Sequence, residues 1–355
     1  MAKKLKRDLT MEEQLARGPV DLPFLILVVL LTGIGVVMVF SASYATAYYD
    51  SRVAENDPAY YFIRQLAFAG VGMGAMWVVS RFNYQNWRWA SVFVLGVSFI
   101  LLVLVLVPGI GQTRNQATRW IKLPLLPQFQ PSEVAKLGVI LYFSSRLSKR
   151  NQEKPYRLNP RSVWSGPMAF LEKIGFLELV PYVVILGAVV LLMMKEPHMS
   201  GTLLILAGAA AVLFAAGIHL GWFAAGAGAL GLLIVFMMSG YQSTRIQVWR
   251  DPWAYPKDGG YQIIQSLYAI GSGGLLGLGL GKSRQKFLYL PEPENDFIFA
   301  IVCEELGLVG ACIVLALFAL LIVRGYWIAL HARDRFGALV VVGITTLLAV
   351  QVFLN

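Results

Sequence analysis

An all-α, polytopic membrane fold follows from three features of this sequence. Charged residues make up only 14% of the 355-residue chain, against about 25% in an average soluble domain, and mean hydropathy is +0.63. Nine apolar segments reach or approach the roughly 20 helical residues that a bilayer core of about 30 Å requires. Lys and Arg are spread unevenly between the alternating connections of those segments. Backbone groups in lipid must be satisfied within their own segment, so the spans are helices.

The segments cover about 22–47, 60–80, 89–108, 131–147, 176–195, 200–217, 220–239, 297–323 and 336–355. Residues 1–21 form a cytoplasmic tail, too polar for a cleaved signal peptide. Residues 22–239 hold seven helices and their loops. Residues 240–296 are a large extracytoplasmic loop between helices seven and eight, and residues 297–355 supply two more helices. The last run ends in apolar sequence at Asn355, so a C-terminally truncated chain is expected. Residues 160–175, with Pro160 and Pro167, are expected along the inner interface. No internal repeat supports an inverted-repeat transporter. Cys303 and Cys312 share one apolar run and read as small core residues.

Orientation follows from charge. With the N-terminus inside, 17 basic residues fall in cytoplasmic segments, 12 fall outside, and Lys136 lies within a span. The net charge of +10 is then a topology signal and not a nucleic-acid signature. Nine of the outer positives lie in two loops, 109–130 and 240–295. Positive charge placed outside against the topology rule fits an anionic ligand such as phosphate; a merely solvated basic loop is the alternative.

Four constellations could carry chemistry. In Gln130-Pro131-Ser132-Glu133-Val134-Ala135-Lys136, proline suits the first helical turn, and Glu133 and Lys136 share a face. Ionisable residues in a span usually face the bundle interior, so the pair is either functional or a structural ion pair. Removing Lys136 from a buried pair would leave an unpaired carboxylate. Arg119 precedes this segment and is close enough in sequence to join the same cavity.

In Arg250-Asp251-Pro252-Trp253, proline restricts Asp251, and Arg245 and Arg250 would keep its carboxylate ionised. Such a carboxylate suits a general base; an Asp-Pro turn initiator is the alternative. The glycines at 271, 273, 274, 277, 279 and 281 lack the strand-before, helix-after context of a nucleotide loop. They read as a tight or partly unwound segment beside a ligand, feeding into Lys282, Arg284 and Lys286. Asp296 suits the start of the eighth span, where it could cap. Glu304 and Glu305 fall about two turns inside; at least one needs a buried base, and Lys136 is a candidate. The three histidines sit at span ends, and no zinc spacing occurs.

Taken together, QPSEVAK (130–136), RDPW (250–253), GYQIIQS (260–266), IGSGGLLGLGLGKSRQK (270–286), LPEPENDFIFA (290–300) and EELGLVG (304–310) resemble the SEDS family. These are the shape, elongation, division and sporulation proteins typified by FtsW, RodA and SpoVE, and the run over 286–300 is closer to FtsW and SpoVE. The resemblance spans nearly the whole chain. It implies ten transmembrane helices in the family, of which about nine are present here. It also implies an inverting glycosyltransferase that polymerises peptidoglycan from lipid II on the outer face of the bacterial cytoplasmic membrane, in division, elongation or sporulation. The implied partners are a class B penicillin-binding protein and other division or elongation proteins, with no nucleic acid.

By the same resemblance, Asp251 matches the essential loop aspartate, Glu133 and Lys136 the buried functional pair, and Arg119 the substrate cavity. Arg119, Lys136, Arg245, Lys282, Arg284 and Lys286 would hold the departing diphosphate. A divalent cation could assist there, although the sequence shows no dedicated cage. The chain departs from the pattern twice. It lacks the glycine- and serine-rich end, and it reads EPHMSGT (196–202) where the family often has Gln-Pro-Asp, leaving that turn without an inherited role. A lipid II flippase would need the same outer positives but no general base; a scaffold would leave Glu133, Lys136 and Asp251 dispensable.

Overall fold

A computed structural model describes residues 18, 20–51, 54–114, 117–122, 128–149, 175–196, 198–237, 241–257 and 259–354; the side chains of 113, 114, 117, 177, 229, 230 and 232–245 are excepted. The expected tail and inner-interface segment fall largely outside these residues.

Among the described residues, nine long helices stand where the apolar segments predict them. They are α1 (Leu22–Tyr49), α2 (Tyr60–Arg81), α3 (Gln85–Val105), α4 (Pro131–Ser148), α5 (Phe176–Lys195), α6 (Met199–Ala215), α7 (Leu220–Met237), and, beyond the large loop, α10 (Ile298–Leu330) and α11 (Arg335–Leu354). The loop itself contains α8 (Tyr241–Arg250), a 3-10 turn (Pro252–Ala254) and α9 (Gly260–Ser272). Among the described residues, six helices are long and apolar enough to cross a membrane by length and composition: α1, α2, α3, α5, α10 and α11. α6 is apolar but shorter, and α4 carries Glu133, Lys136 and Arg146.

One element departs from the all-helical expectation. Gly111–Arg114 (β1) and Ala117–Ile121 (β2) form an antiparallel hairpin, with Gln112 opposite Trp120 and an irregularity after Gln112. Ile121 also bridges Phe129, which ties the hairpin to the approach of α4. Gly111 is obligatory here: a Cβ would lie 2.0 Å from the Val105 carbonyl at the end of α3.

The chain divides into two compact units. The first comprises Asn83–Ala224 and Gly325–Leu354 among the described residues; the second comprises Gly18–Phe82 and Ala225–Arg324. In the first, α4 is the central helix. Its Ala135, Val139, Ile140, Phe143 and Leu147 pack with Leu95 and Leu102 of α3, Ile205 and Val212 of α6, and Leu339 of α11. Helices in lipid gain little from the hydrophobic effect between them and rely on close packing, which small residues permit. Gly138 meets Ser98 and the Leu95 backbone, Gly208 meets Leu347, and Gly343 meets Ile140 and Val212. Where α3 and α11 begin, Asp334 accepts hydrogen bonds from the Tyr84 hydroxyl and Gln85 Nε2, and Arg335 donates to the Ala216 carbonyl. Burial and the Asp334 charge push the Tyr84 hydroxyl up to about 12.

In the second unit, Met38 and Ala42 of α1 pack with Ala269 of α9, Leu290, and Ala300, Ile301 and Val302 of α10. At the N-terminal end of α1, Arg324 donates to both oxygens of Asp21, and this holds the Asp21 carboxyl below its usual range.

The glycine run explains itself here. α10 breaks at Gly307, at φ 66° and ψ −170°. The break frees the Glu304 and Glu305 carbonyls and the Leu308 and Val309 amides, which would otherwise be unpaired. Leu278 and Gly279 donate to those carbonyls at 2.9 and 3.0 Å; Leu308 and Val309 donate to Gly274 and Leu275 at 2.9 and 3.1 Å. Backbones this close exclude side chains: a Cβ on Gly277 would meet the Glu305 carbonyl at 2.2 Å. The segment is unwound, as expected. What it lies against is the broken helix.

Candidate functional site

The loop aspartate is held by short-range geometry. α8 ends at Arg250, and the Asp251 amide donates to the Gln247 carbonyl at 2.9 Å. Pro252 opens the 3-10 turn, and Asp251 Oδ1 accepts from the Ala254 amide at 3.3 Å. Asp251 is therefore a turn cap, and the turn-initiator reading is correct as far as it goes. Its side chain is nonetheless exposed, and Oδ2 has no partner among the described residues.

Glycine supports this turn from behind. Gly259 has φ +95°, and Gly260, whose amide donates to the Tyr255 carbonyl at 3.1 Å, sits where a Cβ would meet the Pro252 and Tyr255 carbonyls at 2.4 Å. The Trp253 ring packs edge-on to Tyr268 of α9 at 5.7 Å. Arg250 is exposed and forms no ion pair with Asp251; the Arg245 side chain and Asp258 lie outside the described residues.

The basic cluster is split by its surroundings. Lys282 and Arg284 are exposed, whereas Lys286 is buried, with Nζ 3.0 Å from Glu305 Oε1. Ser41 of α1 donates to both Glu305 oxygens at 2.7 Å, and the Ser283 amide donates at 3.2 Å. Glu304 accepts from the Ser283 hydroxyl and from the Arg284 and Gln285 amides. Two expectations change. The base that answers the buried acids is Lys286, not Lys136, because the glycine run delivers residues 283–286 directly onto them. And the Lys286 charge is engaged inside the protein, which leaves Lys282 and Arg284 as the outward cations of this cluster. Asp296 is exposed two residues before α10, with no capping hydrogen bond to it. Beside it, burial raises the Glu294 carboxyl, and Thr46 donates to that group.

In the other unit, Lys136 Nζ lies 2.8 Å from Glu133 Oε1. The pair is lopsided: Lys136 is 5% exposed and Glu133 is 59% exposed. Losing Lys136 would thus leave a carboxylate exposed at the protein surface, contrary to the expectation of an unpaired buried one. Arg119, on β2, is half-buried and donates from Nε to the Glu196 backbone carbonyl at 3.4 Å.

The turn from Glu196 to His198 was left without a role by sequence reasoning and proves to belong to this cluster. His198 caps α6, its Nδ1 accepting from the Gly201 amide at 3.1 Å. Burial first, then the charges of Arg119 and Lys136, lower the His198 imidazole to about 4, so it is neutral near pH 7. Glu196 is wholly buried, and burial, opposed by Arg119, pushes its carboxyl up to about 7. The departure at EPHMSGT was a visible signal; its link to Arg119 needed the fold.

Comparison with known proteins decides the family. The model of the FtsW, RodA and SpoVE cell cycle proteins matches residues 22–355. The chain belongs to this family. It is 39% identical over 338 residues to stage V sporulation protein E of Bacillus subtilis (strain 168), covering 94% of this chain and 86% of that one. It is 39% identical over 337 residues to the probable peptidoglycan glycosyltransferase FtsW of Geobacter sulfurreducens (strain DL-1 / KN400), covering 94% and 84%. Its fold superposes with a TM-score of 0.68, at 26% identity and with 94% and 84% coverage, on a chain from the solved structure "Structural coordination of polymerization and crosslinking by a peptidoglycan synthase complex". This family member is a multi-pass membrane protein of apolar helices.

Proposed function

We propose that this chain is a peptidoglycan glycosyltransferase that polymerises lipid II into glycan strands on the outer face of the cytoplasmic membrane. The observation that carries the reading is Asp251: an exposed carboxylate, braced by a proline turn and the Gly259-Gly260 pair, with one oxygen free. Family membership and relatives named as peptidoglycan glycosyltransferases support it.

In the proposed step, Asp251 takes the proton from the acceptor's GlcNAc 4-hydroxyl as that oxygen bonds to the donor's MurNAc C1. The C1–O bond to the diphosphate breaks, the anomeric centre inverts, and undecaprenyl diphosphate leaves with the negative charge. Cations stabilise that developing charge most as the bond breaks. Lys282 and Arg284 are available as exposed cations; Arg119, Lys136 and Arg245 are proposed on the sequence resemblance alone. No group of three His, Cys, Asp or Glu side chains converges among the described residues. A class B penicillin-binding protein is the proposed partner, which the likeness to a synthase-complex chain supports.

The test is Asp251→Asn, assayed with its partner for glycan product from lipid II, beside lipid II binding. Loss of a general base lowers the rate on the order of a hundred- to ten-thousandfold. Binding and folding are expected to persist, since Asn retains an oxygen to cap Ala254. Undiminished polymerisation would refute the role of Asp251 and favour a flippase.

A further inference from the structure

Glu196 follows α5, is 0% exposed, and has no hydrogen-bond partner on either carboxylate oxygen among the described residues. Buried polar groups are almost always satisfied, so an orphaned carboxylate calls for an explanation. The same residue already holds Arg119, whose Nε donates to the Glu196 backbone carbonyl. Guanidinium and carboxyl are thus neighbours that interact by charge without being bridged. The other charged or titratable groups on the surrounding elements are Glu133 and Lys136 on α4, Lys195 and His198 flanking in sequence, and Arg114 on β1, whose side chain lies outside the described residues. α3, α6 and α11 bring no charge to their outer ends.

We propose that Glu196 is a positioning residue for Arg119: its backbone carbonyl orients the guanidinium, and its carboxyl, by being neutral or charged, sets how strongly Arg119 attracts an anionic diphosphate. The inference rests on the reading of Arg119 as a diphosphate-binding residue. With Glu196 neutral, Arg119 acts on the ligand without that competing negative charge. With Glu196 ionised, carboxylate and diphosphate compete for one cation and repel each other. Burial places the Glu196 carboxyl at about 7, so both forms are populated near neutral pH. His198, lowered to about 4, does not change charge in that window.

Lipid II is the suitable probe, because its diphosphate is a diester and stays fully ionised from pH 6 to 8. Binding that selects the neutral carboxyl follows the protonated fraction, which falls about tenfold across that range for a group at pH 7. The purified wild-type chain is expected to bind lipid II about tenfold more weakly at pH 8 than at pH 6. Glu196→Gln is expected to bind equally at both, as tightly as wild type at pH 6. A flat wild-type profile overturns the inference whether or not the variant folds. So does Glu196→Gln binding that is weaker at both pH values, which would make the carboxylate a direct contact or a structural part. Absence of lipid II binding by wild type at either pH overturns the diphosphate reading of Arg119 itself, and this inference with it.

Discussion

Two lysines with superficially similar carboxylate partners should respond very differently to the same substitution. Lys286→Met removes the ammonium 3.0 Å from Glu305, a carboxylate with no exposure, and keeps most of the apolar stem. Breaking a buried pair from one side costs about 3–5 kcal/mol, because the remaining charge stays desolvated. Glu305 retains the Ser41 hydroxyl and the Ser283 amide as donors, which places the expected loss at the lower end, about 3 kcal/mol. Lys136→Met instead frees Glu133, which is 59% exposed and not enclosed by the protein. Pairs of that kind contribute about 0–1 kcal/mol, so the expected loss is below about 1 kcal/mol. The assay is thermal unfolding of each purified variant in one detergent or nanodisc. Lys286→Met should lower the midpoint by roughly 5 °C or more, and Lys136→Met by a fraction of that. Equal shifts would show that exposure does not govern the two pairs and would refute the reasoning. The converse substitution sharpens it: Glu133→Gln strands a buried ammonium and should destabilise more than Lys136→Met.

Gly277→Ala forces a Cβ to within 2.2 Å of the Glu305 carbonyl at φ +80°, and should destabilise by about 3 kcal/mol or more, whereas Gly274→Ala, at φ +56° with open space around it, should lose only about 1–2 kcal/mol; comparable unfolding midpoints would contradict the close approach. Glu196→Gln should stabilise the chain at pH 8. A carboxyl raised from 4.5 to about 7 confers its full stability below the unfolded value, and loses it as pH rises toward 7, so the wild type carries a penalty of about 3 kcal/mol above that pH which the variant lacks. His198, lowered to about 4, acts in the opposite sense between 4 and 6.5, so the variant must be compared with wild type at the same pH, and a variant less stable than wild type at pH 8 would contradict the orphaned carboxylate. For topology, a cysteine at exposed Lys257, in a chain with Cys303 and Cys312 replaced by Ser, should be labelled by an impermeant maleimide in intact spheroplasts; labelling only after permeabilisation would invert the orientation.

Much of the architecture was written locally. Runs such as Leu22–Val39 and Phe299–Val323 have no alternative to helix in lipid, since no other local structure satisfies their backbones; the helices therefore appear within a few residues of the apolar boundaries. The Asp251 turn was legible for the same reason: proline, the following glycine pair and the short separation act over a few bonds. Charge in the loops was legible as composition, but not its use, because burial is a property of neighbours. Sequence spacing put Lys282, Arg284 and Lys286 in one class; the fold turned Lys286 inward onto Glu305 and left the other two outside. Spacing likewise paired Glu133 with Lys136 correctly but could not say that one is exposed and the other buried. The role of the glycines and the orphaned Glu196 required tertiary structure outright. A close backbone approach between residues 277 and 305, or a side-chain contact between residues 119 and 196, is set by how distant segments pack, and no local propensity encodes it.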